Sequence, residues 1–384
     1  MASAAPTRAL ASPPIDTRDR STSINEDESK ITGVEVVASY NWVDSENAVM
    51  LVPGVPPTWS PPSETPQLEP DQGWRWIDQN AHRSPKAPIE PLIRAVLRQH
   101  PDYDFTNTNL ISDRQPLSCL LKFAAGDSKA FSFSVQVVGN IVIFTRKGSK
   151  TREFVGPETY AGFRKDFEKK YTKYPAAFQS STSHHRILSY KLGALRILLR
   201  CGADACLAPQ APLTTNSGVG KPPTEPLQET SDNITVQGGG SEVPQSDIVE
   251  LATRVDKRGF PDYAITKFPE LWLAQTPNFI TALSSATVSS KQAVYCRSVF
   301  TPDNISIRKS ADDVAQWEKN NTELISKFLK VLAATLETAR DEPAKGDRLL
   351  VVSREEGDNE IHIIPDTGAV KLPEDLSKHL MAKQ

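Results

Sequence analysis

The spacing of apolar positions changes from segment to segment along this chain, and each spacing predicts an element. Residues 33–40 (GVEVVASY) form an apolar run of strand length. Over 88–100, Leu92, Ile93, Val96 and Leu97 recur at i, i+1, i+4 and i+5, which places them on one face of a helix. Pro91 suits its first turn and Pro101 ends it. A shorter helix is predicted over 117–125. Phe131, Phe133, Val135 and Val137 alternate, so 130–138 is a half-buried strand, and the Gly139-Asn140 turn leads into a second strand over 140–146. Residues 187–190 and 195–201 are strand-like, the second apolar enough for a central strand. Two further apolar runs, 198–205 and 246–253, carry the carboxylates Asp204 and Glu250. Residues 293–300 predict a strand. Over 310–340, Val314, Trp317, Leu324, Phe328, Val331 and Leu332 make a helical stripe, opened by a Ser310-x-x-Asp313 capping signature. A terminal hairpin over 349–353 and 361–364 and a short last helix complete the pattern. The expected fold is a single α/β (α+β) domain with mixed, mostly antiparallel sheets and flanking helices.

Two segments break the pattern. Residues 1–30 hold almost no large apolar side chains and cannot offset their ordering entropy, so a disordered tail is expected ahead of a domain over 31–384. Residues 209–246 are rich in Pro, Thr, Ser, Gly and Gln and include Gly238-Gly239-Gly240, which predicts a disordered insert within that domain. In the proline-rich region around 53–76, Trp59, Trp74 and Trp76 are expected to pin extended chain to the domain.

Composition narrows the class. The 384 residues are 38% hydrophobic and 24% charged, which suits a globular chain, and the net charge of -3 excludes a globally basic nucleic-acid binder. Any nucleic-acid surface must be a local patch. Residues 146–173 offer one: Arg146, Lys147, Arg164 and Lys165 lie among further lysines, interleaved with Phe163, Phe167 and Tyr171. Such a run is either a solvated face or a nucleic-acid channel. Cys119, Cys201, Cys206 and Cys296 form no CxxC pair, so buried thiols in a reducing compartment are expected. His184-His185 has no matching Cys or His cluster and is expected at the surface or in a loop. No secretory signal follows Met1, and no run approaches the ~18 apolar residues of a membrane span. An intracellular protein of nucleus or cytoplasm, without a membrane partner, is expected.

The acids that could carry chemistry are Glu168, Asp204 and Glu250. Carboxylates converging from adjacent strands hold Mg²⁺ or Mn²⁺, hard cations that prefer oxygen, and such an ion activates water and offsets phosphate charge. Spacing alone is a weak signal for that arrangement.

Five stretches, in order, resemble the eukaryotic decapping exoribonuclease family. They are Asp113-Arg114-Gln115-Pro116-Leu117, Gly162-Phe163-Arg164-Lys165-Asp166-Phe167-Glu168, Gly202-Ala203-Asp204, Glu250-Leu251-Ala252 and Trp272-Leu273-Ala274-Gln275. The middle three are similar to a glycine–aromatic–x–aromatic–glutamate motif, to ExD and to ExK. A divergent fungal group, often labelled geranylgeranyl pyrophosphate synthetases, resembles the chain more closely over roughly 33–335. Its stretches here include Val52-Pro53-Gly54-Val55-Pro56-Pro57-Thr58-Trp59 and Ser183-His184-His185-Arg186-Ile187. That label fails on chemistry, because a prenyl synthase needs two aspartate-rich motifs and the sole Asp pair is Asp312-Asp313.

The resemblance implies that Glu168, Asp204, Glu250 and the Leu251 carbonyl hold Mg²⁺ or Mn²⁺, with Gln275 completing the catalytic set. It implies that Arg114, with Arg146, Lys147, Arg164 and Lys165, faces RNA. Gly202 stands where ExD has its first glutamate, and Ala252 where ExK has its lysine. The expectation is a catalytically impaired protein of RNA 5′-end processing whose cleft binds RNA or a protein partner, with no DNA. The alternatives are an active metal-dependent RNA 5′-end hydrolase and an interaction protein with no nucleic-acid role.

Overall fold

The apolar run at 195–201 becomes the strand Leu195–Gly202, buried from Ile197 through Cys201, and a sheet extends to either side of it. In this computed structural model, residues 15–16, 29–157, 159, 162–208, 229–230, 234–255, 263–284, 301–302, 304–341 and 348–381 are described. Leu195–Gly202 pairs antiparallel with Ser181–Leu192 and parallel with Leu110–Asp113. Beyond Ser181–Leu192 lie Ile31–Val43, Val49–Val52 and Thr235–Gly238; beyond Leu110–Asp113 lie Ile141–Arg146, Phe131–Val138, Arg348–Arg354 and Glu360–Pro365. With Ile15–Asp16 and Glu229–Thr230 at the edges, twelve strands are joined among the described residues. Three of the pairings are parallel and the rest antiparallel, which is the expected mixed architecture.

Strand alternation divides the core in two. Ile197, Leu199 and Cys201 pack with the helices Arg114–Ala124, Tyr263–Ala274 and Thr322–Asp341. Leu198 faces the other way, into the layer of Glu90–Gln99 and Glu374–Met381. A second sheet runs Thr172–Lys173, Thr58–Trp59, Ala205–Cys206, Ile248–Val255, Asn278–Ser284 and Asn304–Lys309. The chain passes from the first sheet to the second through two residues, Ala203 and Asp204. A separate two-stranded ribbon joins Gly73–Trp76 to Arg152–Val155.

Several expectations need correction. The stripe over 310–340 is two helices, Ala311–Asn320 and Thr322–Asp341, because Asn321 turns its side-chain amide onto the Trp317 carbonyl and ends the first. Ser310 makes no side-chain cap; only its backbone carbonyl receives Val314 N–H. The tail composition concealed Ile15–Asp16, which pairs with Glu360 and Ile361. The low-complexity reading of 209–246 ran too far: Thr235–Gly238 pairs with Val49–Val52, and Gly239 and Gly240 donate to the Val52 and Pro53 carbonyls. A Cβ on Gly239 would run into the Pro53 carbonyl, so this glycine serves close packing instead of flexibility. His184-His185 sits mid-strand in Ser181–Leu192, with His184 buried and bonded through Nδ1 to Asn41 at 2.7 Å. The strand expected over 293–300 and Cys296 lie outside the described residues; Cys119, Cys201 and Cys206 are free thiols. No described helix is long and apolar enough to cross a membrane.

Candidate functional site

The two-residue passage between the sheets creates the site. Asp204 occupies that corner, and Leu251 N–H fixes its Oδ2 at 2.8 Å. The neighbouring strand pair, Ala205 opposite Val249, brings Glu250 alongside. Leu110–Asp113 runs parallel to Leu195–Gly202, so Arg114 emerges from the same end of the first sheet, where α/β folds form their crevices.

Glu168 arrives on the helix Arg164–Tyr171. Phe163, Phe167 and Tyr171 recur every four residues and are buried against Val249 and Leu251 of the second sheet. That anchoring turns Arg164 and Glu168 together toward Asp204. Gly162, at φ 89°, makes the entry turn, and the Asp71 carboxylate accepts the Lys165 and Asp166 N–H groups at 3.0 and 3.2 Å. Asp71 thus caps this helix from a distant part of the sequence.

At the centre of the acids lies the Arg164 guanidinium. Its Nη2 donates to both Asp204 oxygens, at 2.6 and 2.7 Å, and its Nε pairs with Glu168 Oε1 at 2.8 Å. Glu250 Oε1 is 3.7 Å away. Glu250 is also approached by Lys267 Nζ at 3.8 Å and Arg114 Nη1 at 4.0 Å. Arg114 Nη1 is buried and has no hydrogen-bond partner among the described residues. Asp204 above all raises the Arg164 pKa, against burial, which disfavours the charged form; at Arg114 burial likewise opposes the charge, and Glu250 leads the acids that outweigh it. Burial, reinforced by Asp204, pushes the Glu168 and Glu250 carboxyls above the usual carboxylate range, against the pull of Arg164.

The donor set does not fit the Mg²⁺ or Mn²⁺ that the resemblance implies. Both Asp204 oxygens and one Glu168 oxygen already accept from Arg164. Gly202 contributes no carboxylate. A divalent ion here would add two positive charges against a guanidinium, opposing the Coulomb balance of the site. Among the described residues no group of three or more His, Cys, Asp or Glu side chains is arranged to hold a metal ion.

Sequence reasoning missed Lys267. Ala252 points the same way as Glu250 on its strand but is buried in the core, and the ammonium expected there comes instead from the helix Tyr263–Ala274. Gln275 does not join the acids. It ends that helix at φ 49°, and its amide turns back onto the Trp272 carbonyl at 2.6 Å. The basic patch over 146–173 divides. Lys165 lines a cleft of about 500 Å³ with Lys169, Tyr174 and the Glu168–Asp204 edge. Arg146 and Lys147 line another, where Arg146 bonds the Ile77 carbonyl and Lys147 pairs with Asp366. The interleaved Phe163, Phe167 and Tyr171 are core residues, so they offer no stacking surface.

No curated protein matches the chain. Solved structures do. Rai1 of Scheffersomyces stipitis, in complex with (3'-NADP)+ and calcium, is 12% identical, with TM-score 0.58, 98% of this chain and 99% of that chain covered. Rai1 of S. pombe is 11% identical, with TM-score 0.56 and coverage of 92% and 99%. Candida albicans Rai1, in complex with pU5-Mn²⁺, is 10% identical, with TM-score 0.51 and coverage of 96% and 95%. The likeness is one of fold, the fold that the motif resemblance to decapping exoribonucleases implies. A protein family described as "Domain of unknown function (DUF8563)" matches residues 18–381, nearly the whole length, and the chain belongs to that family.

Proposed function

We propose that this protein binds RNA 5′ ends in the cleft beside Asp204 and does not hydrolyse them. The observation that carries the reading is the Arg164 guanidinium, seated among Glu168, Asp204 and Glu250. Phosphodiester hydrolysis at neutral pH needs an activated water and a counter-charge on the phosphate. Here the acids are engaged by a fixed organic cation that cannot deliver a metal-bound nucleophile, and Gly202 leaves the set one carboxylate short. Removing one electrostatic contributor from a working site costs ~10²–10³ in rate.

The same residues suit binding. Lys165 and Lys169 line the cleft, and the neighbouring Arg164 side chain is 44% exposed. A guanidinium and two ammoniums meet phosphate oxygens well. The test uses the full chain with 5′-monophosphate RNA and Mn²⁺. Nucleotide release should not exceed that of Asp204→Ala, while fluorescence anisotropy should report binding that weakens steeply with salt and falls in Lys165→Ala/Lys169→Ala. Metal-dependent release that Asp204→Ala abolishes would establish an active hydrolase instead. Absence of binding at low salt would leave an interaction protein with no nucleic-acid role.

A further inference from the structure

The ribbon of Gly73–Trp76 and Arg152–Val155 carries a feature that the cleft does not use. Its register sets Trp74 opposite Phe154 and Trp76 opposite Arg152, so these four side chains share one face. The other face carries the cross-strand Arg75–Glu153 pair, and Val155 on it is buried. On the shared face Trp74 is 63% exposed and Phe154 62% exposed. The expectation that Trp74 pins extended chain to the domain is therefore wrong, whereas Trp59 does so by stacking on Tyr171.

A cross-strand aromatic pair steadies a ribbon, and the Trp74 and Phe154 rings do meet edge to face at 5.6 Å. That role does not require two large rings left mostly in water. Arginines lie on the same face. The Arg152 guanidinium lies 4.6 Å from the Trp74 centroid, and Trp76 is flanked by the His82 ring at 4.7 Å and the Arg83 guanidinium at 6.0 Å. Ile77 and Asp78 N–H both bond the Thr151 carbonyl, which ties the ribbon's end to the wall of the second cleft. That cleft, about 440 Å³, is lined by Lys86, Arg146, Lys147 and Lys150 against Asp78 and Asp366, the last paired with Lys147, which leaves a cationic excess.

We infer that this ribbon and the adjoining cleft form a binding surface for single-stranded RNA, separate from the Asp204 cleft. Unpaired bases stack on Trp74 and Phe154, and the cleft's cations follow the sugar-phosphate backbone. Exposed aromatic faces accept any base, and a guanidinium laid on an indole extends the platform. Charge selects RNA over an apolar protein segment: residues 146–153 hold Arg146, Lys147, Lys150 and Arg152 against Glu153 alone. The inference rests on the reading that the protein binds RNA, but on different residues.

The test is anisotropy of the full chain with a short unstructured fluorescent RNA, run alongside the same sequence as a duplex. Trp74→Ala/Phe154→Ala should weaken single-strand binding by about 5- to 100-fold and abolish the RNA-induced quenching of tryptophan fluorescence. Both substitutions are at exposed sites, and unchanged thermal unfolding verifies the fold. Arg152→Gln, which keeps the ring pair, should weaken binding less and reduce its salt dependence. Wild-type affinity in the double variant overturns the inference, as does equal affinity for the duplex, whose bases are unavailable for stacking. A loss confined to Lys165→Ala/Lys169→Ala would leave the Asp204 cleft as the RNA site and refute the ribbon. A loss confined to the ribbon variant would uphold the ribbon and refute the cleft. A wild-type chain that binds no RNA at low salt refutes both.

Discussion

Arg164 decides what the carboxylates can do, and substituting it is the sharpest experiment on the site. Arg164→Ala leaves Glu168, Asp204 and Glu250 facing one another, with Arg114 and Lys267 beside Glu250 and Lys165 near Glu168 as the remaining counter-charges among the described residues. Losing one partner of a partly exposed ion-pair cluster is expected to cost about 1–3 kcal/mol. The vacated space is bordered by oxygens, so millimolar Mn²⁺ should raise the melting temperature of the variant and leave that of the wild type unchanged. Equal responses to Mn²⁺ would show that Arg164 does not take the cation's place. Adding Gly202→Glu to that background should strengthen the response, since a Cβ at Gly202 meets nothing nearer than the His184 carbonyl at 3.9 Å. Ala252→Lys is a poor companion, because it would bury an ammonium in the core near Lys267. Asp204 and Glu250 were legible in the sequence as acids on apolar runs, and Glu168 through the motif resemblance. The position of Arg164 was not, because it depends on which helical face the second sheet buries. Lys267 was invisible for a similar reason: it reaches Glu250 from a turn of its helix that lies outside the Trp272-Leu273-Ala274-Gln275 stretch.

At the scale of elements, the helix Arg164–Tyr171 is eight residues long, too short to be stable on propensity alone. It is held by three buried aromatics and by the Asp71 carboxylate at its first turn. Asp71→Ala should cost about 1 kcal/mol, seen in chemical denaturation, and should also loosen Arg164 from Asp204. Unchanged stability would mean that water replaces the cap without loss. Elements with a clean period were readable: the hairpin at Gly139-Asn140 is formed by Phe131–Val138 and Ile141–Arg146, and Leu92, Ile93 and Val96 are buried in Glu90–Gln99. Failures came where a long-range partner overrode composition. Thr235–Gly238 lies in a polar, glycine-rich stretch and becomes a strand by pairing with Val49–Val52 on one side and Glu229–Thr230 on the other. Asn321 breaks a continuous stripe with one side-chain bond that periodicity does not encode.

For the whole molecule, the order of the strands was not legible, since it is fixed by contacts between segments far apart in the chain. One global property follows from it. Ser181–Leu192 is an interior strand, so His184 and His185 are held where charging is unfavourable. Burial, aided by the nearby Arg186, keeps His184 well below the ordinary histidine range, and burial with Arg200 holds His185 at about 3. Between about 3 and the unfolded value of about 6.5, the unfolded chain therefore binds more protons than the folded one. Stability from these groups is complete above that range and is lost as pH falls through it. Glu168 and Glu250, whose carboxyls are raised, contribute the opposite slope above the ordinary carboxylate range, so a variant must isolate the histidine effect. His185→Phe keeps the stack on Tyr40, now 4.8 Å between centroids. On acidification from pH 7 to 4.5, wild type should lose stability relative to that variant by up to about 1.4 kcal/mol per pH unit. Parallel urea-denaturation curves across this range would contradict the assignment.

The guanidinium among the acids also has an evolutionary consequence. On the proposed reading, a strong metal site requires both the loss of Arg164 and a carboxylate at 202, with position 252 differing from the ExK pattern as well. A glutamate at 202 beside an intact Arg164 gains no ion, and an alanine at 164 without that glutamate leaves crowded negative charge. If the guanidinium has taken the cation's place, as proposed, a lineage holding it is free to diverge at the surrounding acids while keeping the fold.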